Sequence, residues 1–198
     1  MSKASTNESE TVIEQYVASF ERLDDMVDMG LDEIAQQLAV GEADVYGWRR
    51  WRAMKLETEH SFLEPIYAAL PARFPPLYEK LVLSYRWAEV HLDSHTLFPN
   101  PPGPDLSGLL RAMLRDPAMC GALLPAGYIQ FAKGADMDYD AVCFDLSSRK
   151  KNRDYKIVKV DHEEILCNNR VKVVTEVAPS FEQLMRGTIT EASKARVS

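Results

Sequence analysis

The chain has 198 residues, of which 46% are hydrophobic and 27% are charged, and its formal net charge is −7 at pH 7. This composition excludes an intrinsically disordered chain, and the length suits one globular domain with a short appendage. No run approaches the roughly 18 apolar residues of a membrane span, and the first ten residues lack the apolar stretch of a signal peptide. We therefore expect a cytoplasmic protein with no membrane partner.

The negative charge is unevenly distributed along the chain. Residues 1–70 contain 14 acidic and 6 basic residues, whereas residues 71–198 contain 16 acidic and 17 basic residues. The excess of acidic residues therefore lies in the first third of the chain. The net charge of the whole chain does not by itself indicate whether the partner is acidic or basic.

The three cysteines indicate neither a disulfide framework nor a metal site. Cys120, Cys143 and Cys167 are separated by 23 and 24 residues, with no pair at zinc-ligand spacing. We expect buried free thiols in a reducing compartment, and we expect neither a metal nor another cofactor.

We divide the chain into a disordered tail at 1–10, a helical N-terminal extension at 11–58 and an α+β domain at 59–190. In the extension, apolar residues recur every three or four positions from Thr11 toward Gly30, which predicts a helix with an acidic outer side. The same periodicity predicts shorter helices at 31–38 and 42–54.

The segment 30–55 resembles a helix-turn-helix, which suggests a DNA-binding regulator as an alternative function. Arg49, Arg50 and Arg52 would then contact phosphates or bases from the second helix. Two features oppose this reading: the surrounding segment is acidic although DNA affinity requires neutralised phosphates, and Gly47 would cost about 1 kcal/mol inside a helix. A nucleic acid is therefore not the partner that we expect.

The α+β domain begins with helix patterns and continues with strand patterns. Helices are predicted at 62–70, 77–84 and 106–114, and a proline-rich loop is predicted at 98–104. Alternating residues predict strands at 87–93, 127–131, 141–146, 155–160 and 170–175. A closing helix is predicted to begin at Pro179.

The predicted sheet is mostly antiparallel and is flanked by helices. Lys156, Lys159, Arg170 and Lys172 would leave one face of it in contact with water. The predicted fold class is therefore α+β with a helical N-terminal extension.

The run from Leu124 to Leu146, LPAGYIQFAKGADMDYDAVCFDL, resembles the strand, acidic glycine-containing turn and strand at the centre of the SUKH superfamily. The sequences DHEE at 161–164, APSFEQL at 178–184 and LP at 70–71 are similar to later and earlier parts of that pattern. Residues 1–50 and an insertion at 99–124 have no counterpart in it.

The SUKH superfamily contains fungal cell-wall assembly regulators and bacterial toxin immunity proteins. The resemblance covers about residues 60–190 and implies a SUKH-like fold. It also implies a non-catalytic protein-binding module that blocks a toxin or joins a regulatory complex.

Two charged segments are the candidate partner-binding sites. The first is an acidic turn, with Asp136, Asp138, Tyr139 and Asp140, which would attract a basic partner such as a secreted nuclease toxin. The second is a basic loop, which would contact an acidic surface and consists of Arg149, Lys150, Lys151 and Arg153.

The acidic turn also resembles the start of a calcium loop, because acids alternate at positions 136, 138 and 140. The sixth loop position is Ala141 instead of glycine and the twelfth is Ser147 instead of glutamate. Both departures exclude a calcium loop of that type.

The histidines suggest two further kinds of site, a metal site and a hydrolase active site. One strand face would carry His91, Asp93 and His95, but side chains about 6 to 7 Å apart are too far from one another to bind one metal ion. His162 with Glu163 or Glu164 would serve a small hydrolase only if a deep pocket lay beside them.

Overall fold

The structure is a computed structural model that describes residues 3–20, 27–29, 35–135 and 138–194. It is an α+β fold, as predicted, with helices packed on a six-stranded antiparallel sheet. The helices are α1 (Lys3–Phe20), α2 (Glu64–Ala69), α3 (Pro76–Ser84), α4 (Ser107–Met113), α5 (Pro117–Leu123), α6 (His162–Asn168) and α7 (Phe181–Lys194). Within the described ranges, no helix is long and apolar enough to cross a membrane.

The strands form three sheets. They are β1 (Val27–Met29), β2 (Ala39–Val40), β3 (Trp48–Trp51), β4 (Met54–Lys55), β5 (Tyr85–Arg86), β6 (Val90–His91), β7 (Thr96–Leu97), β8 (Tyr128–Lys133), β9 (Ala141–Asp145), β10 (Lys156–Val160) and β11 (Val173–Ala178). The main sheet has the order β11-β10-β9-β8-β7-β6, the N-terminal sheet has the order β1-β3-β2, and β4 pairs with β5. Neighbouring strands of the main sheet follow one another along the chain, but α4 and α5 lie between β7 and β8, and α6 lies between β10 and β11.

The first face of the main sheet carries a core of aromatic side chains. Phe131 of β8 and Phe144 of β9 stack with ring centroids 4.2 Å apart, and both are fully buried. Tyr78 of α3 and Phe181 of α7 meet them edge to face. This cluster joins the sheet to both helices.

The second face of the sheet is covered at its centre by α5 and α6. Ala141 and Cys143 of β9 pack there against Met119, Leu123 and Ile165. The prediction of a face open to water is therefore wrong at this position. The sequence did indicate this second buried face, because β9 begins with an unbroken apolar run from Ala141 to Phe144. A strand that is buried on both sides lacks the alternation of apolar and polar residues seen in a strand with one face in water.

The N-terminal helix packs into the same core as the main sheet. The part of α1 from Thr11 to Phe20 confirms the first part of the predicted helix, and Tyr16 and Phe20 are fully buried near Phe181 and Trp87. The predicted continuation toward Gly30 is wrong at Val27–Met29, which form β1 and pair with β3. The helix begins at Lys3, inside the segment that composition assigned to a tail. Residues 21–26 and 30–34 lie outside the described part of the chain.

The predicted helix at 42–54 is wrong, because these residues form a hairpin between β2 and β3. Asp44 closes its turn: the Asp44 carboxylate accepts the amides of Tyr46 and Trp48 at 2.8 and 3.0 Å. Gly47 has φ of +85°, a conformation that a helix cannot contain and that favours glycine. The missed signal is the Asp-x-x-Gly turn between two short apolar runs.

Burial of His95 makes stability depend on pH. Its ring is fully buried between the Tyr16 and Ser94 hydroxyls, and burial lowers its pKa from 6.5 to about 4. As the pH falls from 6.5 to 4, the unfolded chain binds a proton that the folded chain does not. We expect unfolding free energy to fall by about 3 kcal/mol across this window.

Urea unfolding at pH values from 4 to 7.5 checks this expectation. His95→Gln should flatten the profile between pH 4 and 6.5, whereas His91→Gln should not, because the His91 side chain is 69% exposed. Equal slopes in wild type and His95→Gln would contradict the assignment.

Candidate functional site

An open cleft of about 780 Å³ lies beside β8, between the α4–α5 connection and α6. Its apolar wall is formed by Phe98, Pro99, Met113, Pro117, Met119 and Leu166. Its polar residues are Glu89, Arg115, Asp116, Gln130, Lys133, Tyr139 and His162. The cleft therefore joins residues that are far apart in the sequence with part of the predicted acidic turn.

The β8–β9 turn is held by its own carboxylates. Asp138 accepts the amide of Asp140 at 2.9 Å and pairs with Lys159 Nζ at 2.7 Å. Partial burial raises the pKa of Asp138, but the bonds from Lys159 and the Asp140 amide outweigh it and bring the pKa below its usual range. Asp138 is thus engaged within the protein, while Asp136 lies outside the described residues.

Asp140 fixes His162 at the edge of the cleft. One carboxylate oxygen of Asp140 accepts both the His162 backbone amide and Nδ1 of its ring, each at 2.9 Å. Because a carboxylate only accepts, Nδ1 carries the proton and the lone pair of the neutral ring is on Nε2. Asp161 caps α6 by accepting the Glu164 amide at 3.0 Å, which places His162 in the first turn.

Tyr139 projects at the rim of the cleft. Its side chain is 57% exposed and its ring lies edge to face with His162, at 6.0 Å between centroids. Among Asp138, Tyr139 and Asp140, the described residues of the acidic turn, Tyr139 is therefore the most exposed to a partner.

The glutamates predicted beside His162 do not pair with it. Glu164 binds Arg170 and Asn168, and Glu163 is exposed. Asp140 is the partner of His162, and sequence reasoning missed this pair because 22 residues separate its members.

The basic loop lies at the other end of the sheet from the acidic turn. The turn precedes β9 and the loop follows it, so the five residues of the strand separate them by about 16 Å. Arg149 and Lys151 are exposed, whereas Lys150 donates to the Pro179 carbonyl at 2.6 Å. The two predicted segments therefore do not form one surface.

Arg153 points into the protein. Its guanidinium makes two bonds to the Glu79 carboxylate, at 3.3 and 3.2 Å, and the Glu79 side chain is 8% exposed. Tyr67 donates to the same carboxylate at 2.6 Å. Arg153 is thus a structural residue rather than a cation available to a partner.

The arginines of the DNA-binding alternative lie on or beside β3. Arg49 is half-buried in the strand, and Arg50 and Arg52 are exposed. Since the strand is the central one of its sheet, there is no recognition helix to present these side chains. The structural basis of that alternative is therefore wrong.

The strand face that His91, Asp93 and His95 would have shared does not form. His95 is buried in the core, while His91 and Asp93 are exposed and His91 bonds to Thr96 at 3.0 Å. Among the residues that the structure describes, no group of three His, Cys, Asp or Glu side chains could hold a metal ion.

Gly134 allows the β8–β9 turn to close on Asp138. A Cβ at Gly134 would overlap with the carboxylate and Cβ of Asp138. We expect Gly134→Ala to displace Asp138 from Lys159 and to lower unfolding free energy by about 1–3 kcal/mol, measured by urea unfolding. Gly121→Ala in α5 is the matched control, because its Cβ meets nothing within 4 Å and alanine favours a helix. Equal effects of the two substitutions would contradict this account.

No protein-family model matches the chain, and no curated protein matches it either.

Proposed function

We propose that this protein is a non-catalytic protein-binding module of the SUKH kind, and that its partner docks at the cleft beside β8. The observation that carries the proposal is the open cleft itself, with an apolar wall and the exposed side chains of Tyr139 and Leu166 at its rim. Tyrosine, methionine, phenylalanine and arginine, which recur in protein interfaces, all line it. The α+β fold and the resemblance at 124–146 support the same proposal.

The chemistry of the cleft supports binding over catalysis. His162 and Asp140 form a pair that could act as a base, but no serine, threonine or cysteine is among the described residues that line the cleft. A pair without a nucleophile beside it fits a structural role for Asp140, which orients the His162 ring.

The resemblance leads us to propose a secreted toxin, such as a nuclease, as the partner. A protein of this kind acts in the cytoplasm, where it neutralises the toxin before damage occurs. Cys120, Cys143 and Cys167 are free thiols, which is compatible with a reducing compartment. Burial also raises the pKa of Cys143, so its thiol is inert there.

Co-expression with each protein encoded beside this gene tests the proposal. We expect one neighbour to arrest growth when expressed alone, to be harmless with this chain and to copurify with it at 1:1 stoichiometry. Failure of every neighbour in both assays would refute the immunity role.

Variants at the cleft locate the docking surface. Tyr139→Ala and Leu166→Ala should each weaken binding by at least about tenfold, because exposed apolar side chains at the centre of an interface dominate affinity. Val174→Ala on β11 is the matched control: its side chain is 50% exposed and does not line the cleft. An equal loss with Val174→Ala would exclude the cleft as the docking surface.

A further inference from the structure

We infer that the cleft selects an acidic side chain of the partner that stands beside a large apolar side chain, with Arg115 and His162 as its ligands. This inference rests on the proposed function and specifies the chemistry of the segment that the cleft receives.

Each carboxylate of the cleft is bound within the protein through one of its oxygens. Glu89 Oε1 receives Lys133 Nζ at 3.0 Å, and Asp116 Oδ1 caps α5 by accepting the amides of Ala118 and Met119 at 2.9 and 3.1 Å. A cationic ligand could reach the second oxygen of each carboxylate, but it would lie beside the Lys133 and Arg115 cations that line the same cleft. This repulsion between like charges disfavours a basic side chain there.

Two side chains of the cleft can receive a carboxylate. The Arg115 side chain lines the cleft, is exposed and makes no ion pair with any residue that the structure describes. His162 uses Nδ1 to donate to Asp140, so Nε2 carries the lone pair in the neutral ring and donates to a ligand only when the ring binds a second proton. A carboxylate matches both, because it accepts two hydrogen bonds from a guanidinium and one from a protonated imidazole ring.

The apolar wall defines the rest of the ligand. Phe98, Met113 and Met119 lie in the same cleft as the two donors, so a leucine or phenylalanine next to the acid would be buried while its carboxylate is bound. The cleft is open to solvent and not enclosed. We therefore take the ligand to be a side-chain carboxylate of a continuous chain and not a chain terminus.

Titration of the full chain with short peptides, followed by amide chemical shifts, tests the inference. The probes are acetyl-leucyl-glutamyl-leucinamide, its glutamine and lysine analogues, and acetyl-leucyl-leucine with a free terminal carboxylate. We expect the glutamate peptide to shift residues of the cleft and to bind about tenfold more tightly than the glutamine peptide, as one charged hydrogen bond allows. The lysine peptide should bind more weakly than either.

Arg115→Ala should remove most of this preference for glutamate, and His162→Gln should reduce it. Arg111→Ala is the matched control, because Arg111 is exposed on the adjacent helix and does not line the cleft. Equal affinity for the glutamate and glutamine peptides, tighter binding of the lysine or free-terminus peptide, shifts outside the cleft, or no binding at millimolar peptide would each overturn the inference. None of these results affects the co-expression test, so a failure here leaves the proposed function to be judged on its own.

Discussion

Replacing Phe144 by alanine is expected to cost about 3–5 kcal/mol of unfolding free energy, the range for aromatic residues in a packed core. The ring is fully buried at the centre of the sheet and stacks on Phe131 at 4.2 Å. It also touches Tyr78, Tyr155 and Phe181. The cavity that alanine leaves would be bounded by two strands and two helices, which limits how far the surroundings can collapse. Urea unfolding at pH 7.5 measures the change.

Two further variants separate packing from other effects. Phe144→Leu keeps most of the volume and should cost about 1–2 kcal/mol. Tyr139→Ala removes an exposed aromatic ring from the segment between β8 and β9 and should change stability by no more than about 0.5 kcal/mol. A Phe144→Ala cost as small as that of Tyr139→Ala would contradict the observed core.

Replacing Arg153 by asparagine is expected to cost about 2–3 kcal/mol, because it leaves the buried Glu79 carboxylate without its main counter-charge. We place the cost at the low end for buried pairs because the Arg153 side chain is 35% exposed. Asparagine is the suitable replacement, since Arg153 has φ of +62° and asparagine tolerates that conformation.

A second substitution identifies the cause of the loss. Glu79→Gln in the Arg153→Asn background removes the unpaired charge, and the double variant should be more stable than the sum of the two single effects predicts. Lys151→Ala, an exposed cation of the same loop, should change stability by no more than about 0.5 kcal/mol. Strict additivity of the two substitutions at 79 and 153 would contradict an ion pair between them.

The central strands of the main sheet were predictable from local pattern, but its β6–β7 edge was not. The strand predicted at 87–93 forms in this sheet only at Val90–His91, and β7 was not predicted. Strands β8, β9 and β10 fall within three residues of the segments predicted at 127–131, 141–146 and 155–160. The next predicted strand, at 170–175, is displaced, because β11 begins at Val173. Residues 162–168 form α6, whose signal was the cap Asp161 followed three positions later by Glu164. Apolar periodicity did not reveal α6, because Ile165 is its only buried residue, whereas the equally short α4 was predicted at 106–114.

The helix predicted at 42–54 was wrong because apolar spacing in this short segment fits both a helix and a strand. Trp48 and Trp51 are three residues apart, a spacing that suits one face of a helix but also occurs in the four-residue strand β3. The turn residues Asp44 and Gly47 decide between the two, because the side chain of one closes the turn and the other adopts a positive φ. Local turn geometry thus overrides apolar spacing when the segment is short.

Composition and local pattern alone determined the α+β class of this protein, the position of its central strands and the helical conformation of residues 11–20. These features depend on neighbours within a few positions of the chain, and the sequence displays such neighbours directly. Tertiary structure alone decided that Arg153 pairs with the buried Glu79 carboxylate and that Asp140 holds His162. It also decided that Arg115, Lys133 and His162 line one cleft. Each of these arrangements joins residues that are distant in the sequence. The free energy of a contact between such residues depends on how deeply the groups are buried and how far apart their atoms are, and only the folded chain fixes both.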